Sequence, residues 1–163
     1  MTLTNVLRFV SILLVAISMS AGLAHLFALP NKIGLPRDAY LTVQQIYRGW
    51  ALLGIAVIGA LLSTSILAFR LRGARSEFRL TLAAAICVAG SLAVFFSFTF
   101  PANQQTLNWT MLPDGWEALR QQWEYSHAVG AVLYLAALVL LTLSLLVRRE
   151  ESGGVTHPSA PSA

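Results

Sequence analysis

The chain has 163 residues, 56% of them hydrophobic and only 11% charged, whereas an ordinary soluble domain is about 25% charged. Too few charges remain to cover a water-facing surface, so lipid is the solvent for most side chains and a soluble domain is excluded. The net charge of +4 is not a nucleic-acid footprint, because seven of the eleven basic residues (Arg8, Arg70, Arg72, Arg75, Arg79, Arg148 and Arg149) sit beside apolar blocks on one side.

Apolar blocks run over residues 9–29, 49–69, 80–100 and 128–147, each 20 or 21 residues long without an acid or a base. At about 1.5 Å of rise per residue, each crosses a hydrocarbon core of roughly 30 Å as a helix, the open-ended structure that satisfies its own backbone in lipid. The expectation is an all-α, four-helix transmembrane bundle over residues 1–149, followed by a disordered tail over 150–163 that is rich in small residues and proline. The first block is longer than the usual signal-peptide core of about 7–15 residues. It is read as a retained span, with cleavage as the alternative.

The loop over residues 70–79 carries four arginines against one acid, Glu77, and the flanks of the first and last blocks carry Arg8 and Arg148–Arg149. The positive-inside rule puts these segments in the cytoplasm and residues 30–48 and 101–127 outside. The localisation expected is an integral, multi-pass protein of a bacterial inner membrane with both termini cytoplasmic. Its partner is then the bilayer, with no nucleic acid and with homo-oligomerisation left open.

Two halves of the sequence echo each other. Leu29-Pro30-Asn31 and Phe100-Pro101-Ala102-Asn103 each place a proline that should stop a helix, and an asparagine beyond it. Leu35-Pro36 with Gln44-Gln45 and Leu112-Pro113 with Gln121-Gln122 are related by one shift of 77 residues, which sets Trp50 opposite His127. Two parallel helix-loop-helix repeats would build any outer site jointly. Chance recurrence of common helix-exit residues is the bland alternative.

Near the fourth block Arg120, Trp123, His127, Gly130, Ala131 and Tyr134 recur at three- and four-residue steps, so they share one helix face. Such a stripe is a poor lipid face and should point into the bundle or sit in an interfacial belt. His25 lies at a similar outer depth, and the pair would suit helix-packing hydrogen bonds, or a haem or metal. Arg48, at the entrance of the second block, should snorkel to the interface or pair with Glu124. Small residues at i and i+4, such as Ser18 with Gly22, permit close helix approach. The single cysteine, Cys87, excludes an intrachain disulfide, and no phosphate loop, HExxH or Ser-His-Asp pattern occurs.

The segment Phe100-Pro101-Ala102-Asn103, Asn108-Trp109, Trp116-Glu117-Ala118-Leu119-Arg120 and Trp123-Glu124-Tyr125-Ser126-His127 resembles a family of small four-helix membrane proteins that includes fungal anthrone oxygenases. The similarity covers roughly residues 10–147, including Leu29-Pro30-Asn31-Lys32. It implies an oxygenase or oxidase acting on a phenolic or other hydrophobic small molecule at the outer face. Carried over by position, His127 is the general base, and Asn103 and Arg120 stabilise the resulting phenolate or enolate. Trp109 and Trp123 stack on the ring, and Asn31 and Arg48 complete the substrate-binding set. The family pattern often places a further basic residue after the histidine, where this chain has Ala128-Val129-Gly130. Two rivals stand beside this reading: a non-enzymatic membrane component or partner subunit, and a haem or quinone redox protein using His25 and His127. The sequence names no cofactor.

Overall fold

The structure is a computed structural model that describes the backbone of residues 2–153 and the side chains through residue 147. Of the expected tail over 150–163, residues 150–153 continue α6, and residues 154–163, with the side chains of Arg148 and Arg149, lie outside the described residues. Among the described residues the fold is all-α. The elements are α1 (Leu3–Lys32), α2 (Arg37–Gln44), α3 (Gly54–Arg70), α4 (Arg75–Val94), α5 (Phe100–Gln105) and α6 (Trp116–Gly153).

Four stretches are long and apolar enough to cross a membrane: Leu3–Lys32, Trp50–Arg70, Arg75–Gln105 and Trp116–Val147. Each contains one of the predicted blocks almost whole, and three of the four run well past it. Large apolar side chains cover the outside, among them Phe27 (72% exposed), Ile55 (75%) and Phe69 (66%). A face of that kind is stable only under hydrocarbon, so the protein is an integral membrane protein.

Packing is closest between α1 and α6, α4 and α6, α1 and α3, and α3 and α4. The bundle therefore has the cyclic order α1, α3, α4, α6, with each helix antiparallel to its neighbours. Two apolar clusters fill it. The larger, including Val15, Ala60, Leu67, Ala84, Val88, Ala137 and Leu141, occupies the middle and the end that carries the 71–74 turn. The smaller, made of Tyr40, Ala102, Trp109, Leu112, Trp116 and Trp123, caps the opposite end, where the long connections lie.

At the 71–74 end Arg8 donates to Glu77 in a buried ion pair, and Thr81 and Ser144 hydroxyls meet at 3.2 Å. Both join a helix to its neighbour where apolar packing alone would leave polar groups unpaired in lipid.

The two prolines do not stop their helices as the sequence led us to expect. α1 runs through Pro30 to Lys32, and Ile33 N–H still bonds the Leu29 carbonyl at 3.0 Å. Ahead of Pro101 the helix widens into a π-helical stretch, Phe95–Thr99, in which Phe100 N–H reaches the Phe95 carbonyl, and then continues as α5. A proline lacks a donor and crowds the carbonyl four residues back, and a local π turn absorbs both. Gln122 Nε2 reaches across from α6 to the Phe98 carbonyl at 2.8 Å.

The halves differ in one respect that matters for the site. In the second, α6 is continuous from Trp116. In the first, the chain leaves α2 through a 3-10 turn at Gln45–Tyr47, reverses at Gly49 (φ +87°), makes a second 3-10 turn at Trp50–Leu53 and only then becomes α3. That positive φ is favourable for glycine alone.

Candidate functional site

Helix α1 crosses α6 at Gly22. A Cβ on Gly22 would lie 3.0 Å from the Ala131 Cα, so only glycine permits this approach. His25 is one turn beyond Gly22 on α1, and His127 is one turn before Ala131 on α6. Because the helices are antiparallel, both histidines fall on the same side of the crossing. Their rings stack, with centroids 4.0 Å apart and planes 15° from parallel.

Three aromatic rings surround the stack. The His25 ring lies 4.3 Å from Tyr47, 4.9 Å from Trp123 and 5.4 Å from Trp50. The sequence stripe on α6 is turned inward: Trp123, Gly130, Ala131 and Tyr134 are buried, Arg120 is 9% exposed, and His127 is partly open. What it opens to is a cavity of about 710 Å³ at the connection end of the bundle. Its wall includes His25, His127, Tyr47, Trp50, Trp123 and Asn103, and its deepest part is Ser18, Ser91 and Tyr134.

Behind the stack is a buried polar network. Lys32 Nζ, on a 3% exposed side chain, is 3.0 Å from Glu124 Oε1, whose side chain is wholly buried, and it donates to the Tyr47 hydroxyl at 2.8 Å. The same carboxylate accepts from the Tyr40 hydroxyl at 3.0 Å, and Gln44 Nε2 donates to Tyr40. Burial, and then the neighbouring Glu124 carboxylate, push the Tyr40 phenol well above its ordinary range, so it stays a neutral donor. Of the two alternatives for Arg48, exposure or a pair with Glu124, the pair does not form. Arg48 is exposed and donates to Gln45 Oε1 at 3.0 Å, and Lys32 reaches Glu124 instead.

Asn103 is an organiser. Its Oδ1 accepts from Trp109 Nε1 at 3.0 Å and from Trp123 Nε1 at 2.8 Å, tying two indoles to one side chain. Trp109 sits in a left-handed run with Leu107 and Asn108 (φ 47°, 56° and 60°), a strained backbone for three non-glycine residues. Thr106 holds it through a bond from Trp109 N–H to Oγ1 at 3.1 Å, and Gln45 Nε2 donates to the Trp109 carbonyl at 3.0 Å.

Of the residues singled out from sequence, His127, Asn103, Trp109, Trp123 and Arg48 line the cavity. Arg120 does not. Its guanidinium lies over Trp116 (4.6 Å) and donates to the Leu35 carbonyl at 2.7 Å, which pins the first connection to α6. Asn31 is exposed and away from the cavity wall. Tyr47, Tyr40 and the Lys32–Glu124 pair were not assigned to the site in advance. Lys32 carries a usable signal, since it lies seven residues, two helical turns, after His25 on one face. Tyr47 has none, because a 3-10 turn carries no period that could place its ring.

The stacked imidazoles leave no space between them for a haem, whose axial ligands lie on opposite faces of the macrocycle. Among the described residues no three His, Cys, Asp or Glu side chains gather as metal ligands.

The fold and site together define an integral membrane four-helix bundle with an aromatic, histidine-walled cavity at one end. No family model, curated protein or solved structure matches the chain.

Proposed function

We propose that this is a multi-pass protein of a bacterial inner membrane, with both termini cytoplasmic and its cavity at the outer side. There it binds a phenolic or similarly hydrophobic small molecule and, with dioxygen as the co-substrate that takes up its electrons, oxidises it, as an anthrone-oxygenase-like protein. The orientation follows from the arginines that cluster at the 71–74 end, opposite the cavity. The observation that carries the ligand reading is the cavity itself: about 710 Å³, within the range of small-molecule sites, mostly apolar, with a few convergent polar groups.

His25 Nδ1 is buried without a partner, as is Gln44 Oε1, although both residues line the cavity. His127 is the base that takes an acidic O–H or C–H proton. The anion left behind faces Tyr47, whose hydroxyl accepts from Lys32 and so keeps its own proton to donate. Tyr47 thereby takes the stabilising role that sequence gave to Arg120, while Asn103 acts by holding Trp109 and Trp123 against the ligand.

The test is binding and turnover of a panel of phenols and anthrones by purified protein in lipid nanodiscs, with wild type beside His127→Ala. The expected result is loss of turnover in a variant that still inserts and elutes as wild type. Equal turnover in both proteins refutes the base assignment. Binding without turnover in wild type would make the protein a ligand-binding component instead of an enzyme.

A further inference from the structure

We propose that the cavity is entered sideways, through a portal in the bilayer-facing wall between residues 50–58 and residues 92–96, by an amphiphilic ligand dissolved in the membrane. The inference rests on the ligand-binding reading above and adds the route and the physical state of the ligand.

Helices α3 and α4 are neighbours in the bundle, and in the middle Ala60 meets Ala84 and Val88 in one core. Toward the cavity end the two sides of this seam separate in what they pack on. The turn Trp50–Leu53 packs chiefly on α3, whereas Phe95–Thr99 packs on α4, α5 and α6. No substantial contact joins the turn to the π stretch, and the cavity fills the gap. Its rim is made by Leu53, Ile58, Leu92 and Phe96, all of which line it. Ile58 is also 48% exposed and Phe96 59% exposed on the surface that lipid covers. A side chain that lines a cavity while facing hydrocarbon marks an opening to the bilayer.

The other approach, along the bundle axis, is roofed. Tyr40, Trp109, Leu112, Trp116 and Trp123 are all no more than 6% exposed, and Gln45 ties this roof to the first connection. The upper corner of the opening carries Arg48, Asn108 and Thr110, exposed polar residues at headgroup level. The rim is thus polar above and apolar below, the order of a membrane interface, and it fits an amphiphile that keeps its orientation as it slides in. Both flanks are irregular: a 3-10 turn bounded by Gly49 and Gly54 on one side, a π stretch on the other. Neither glycine is required by packing, since a Cβ on either would meet nothing within 4 Å. Irregular turns of this kind let a flank shift without breaking a long helix.

The test uses the full chain in lipid nanodiscs, which expose both faces, with Cys87→Ser removing the native thiol and Ser91→Cys placing one on the inner wall. The bilayer-partitioning reagent N-pyrenylmaleimide should label this thiol at least ten-fold faster than a sulfonated, water-confined maleimide. Crowding the rim with Ile58→Trp and Leu92→Trp should slow the pyrenyl reagent about ten-fold, while a lipid-facing control thiol, Leu135→Cys, labels as before. Faster labelling by the sulfonated reagent, or a pyrenyl rate indifferent to the rim, overturns the portal and leaves the ligand-binding reading standing.

A second measurement needs no engineered thiol. Trp109, Trp116 and Trp123 are 4–6% exposed and Trp50 is partly open, so lipids brominated on the acyl chain should quench Trp50 most. Trp50→Phe should then remove most of the quenching, any remainder reporting acyl chains that reach the cavity-lining Trp109 and Trp123, and a wild-type protein that these lipids do not quench overturns the portal as well.

Discussion

Replacing Glu124 alone should be among the most damaging single changes in this protein. Its carboxylate lies 3.0 Å from Lys32 Nζ, with both side chains no more than 3% exposed. At an effective dielectric constant near 20, unit charges about 3 Å apart attract by roughly 5–6 kcal/mol, while desolvating them costs several kcal/mol per ion. The intact pair is therefore close to neutral for stability. Glu124→Ala keeps the desolvation of Lys32 and removes the attraction, and it also strips the Tyr40 hydroxyl of its acceptor. The expected loss is about 3–5 kcal/mol, or roughly 6–20 °C in the midpoint of thermal unfolding for a chain of this size. Unfolding followed by fluorescence-detected size exclusion in detergent measures it. The double variant Lys32→Met with Glu124→Met should recover more than half of the loss, because no uncompensated charge remains. A shift below about 3 °C for Glu124→Ala would mean that the pair is solvated and that the buried network behind the histidines does not exist.

The remaining expectations are narrower. Gly22→Leu drives a side chain into the Ala131 backbone, so overpacking should cost about 1–3 kcal/mol and, by parting α1 from α6, should weaken ligand binding along with the thermal midpoint. Reporter enzymes fused after Arg72 should report cytoplasm and reporters inserted near Leu107 the exterior, and a cytoplasmic signal at Leu107 reverses the proposed orientation. Tyr40 titrates above its ordinary value of 10.0 in the fold, so the unfolded chain gives up that proton first as pH rises. Stability from this group is whole below pH 10.0 and falls above it. Tyr40→Phe should flatten that alkaline decline, and an unchanged slope would show that Tyr40 is not buried against Glu124.

The spans were legible because hydrocarbon demands long uncharged runs, and such runs survive any detail of packing. Helix α6 was the most legible element: its stripe from Arg120 to Tyr134 repeats with the helical period, and the continuous helix turns it inward as one face. Helix ends were misread at Pro30 and Pro101 because proline is costly only where its missing donor and its ring cannot be accommodated. At Pro101 a π turn absorbs both, and at Pro30 the helix ends two residues later, with Ile33 N–H still on the Leu29 carbonyl. Of the two alternatives for Arg48, the exposed one holds and the pair with Glu124 does not. Sequence places Arg48 and Lys32 at comparable depths, and composition announces neither which of them reaches Glu124 nor the backbone reversal at Gly49.

That reversal sets part of the cavity wall. In the second half of the chain the helix passes unbroken from the long connection into the bundle, so Trp123 and His127 keep a fixed helical step and project together. In the first half the chain breaks between Tyr47 and Gly54, and the break sets Tyr47 and Trp50 against the His25 ring, centroids 4.3 and 5.4 Å away. The asymmetry between the halves thus shapes the space, and the Gly22 crossing furnishes it with two imidazoles. The shortest route to altering the site without touching it is then Gly49, where any other residue must adopt φ near +87°. Gly49→Val should strain this turn by about 1–3 kcal/mol, and ligand affinity should fall while the four spans remain inserted. Unchanged affinity and stability in Gly49→Val would show that the turn tolerates another backbone path, and that the break does not set the shape of the cavity.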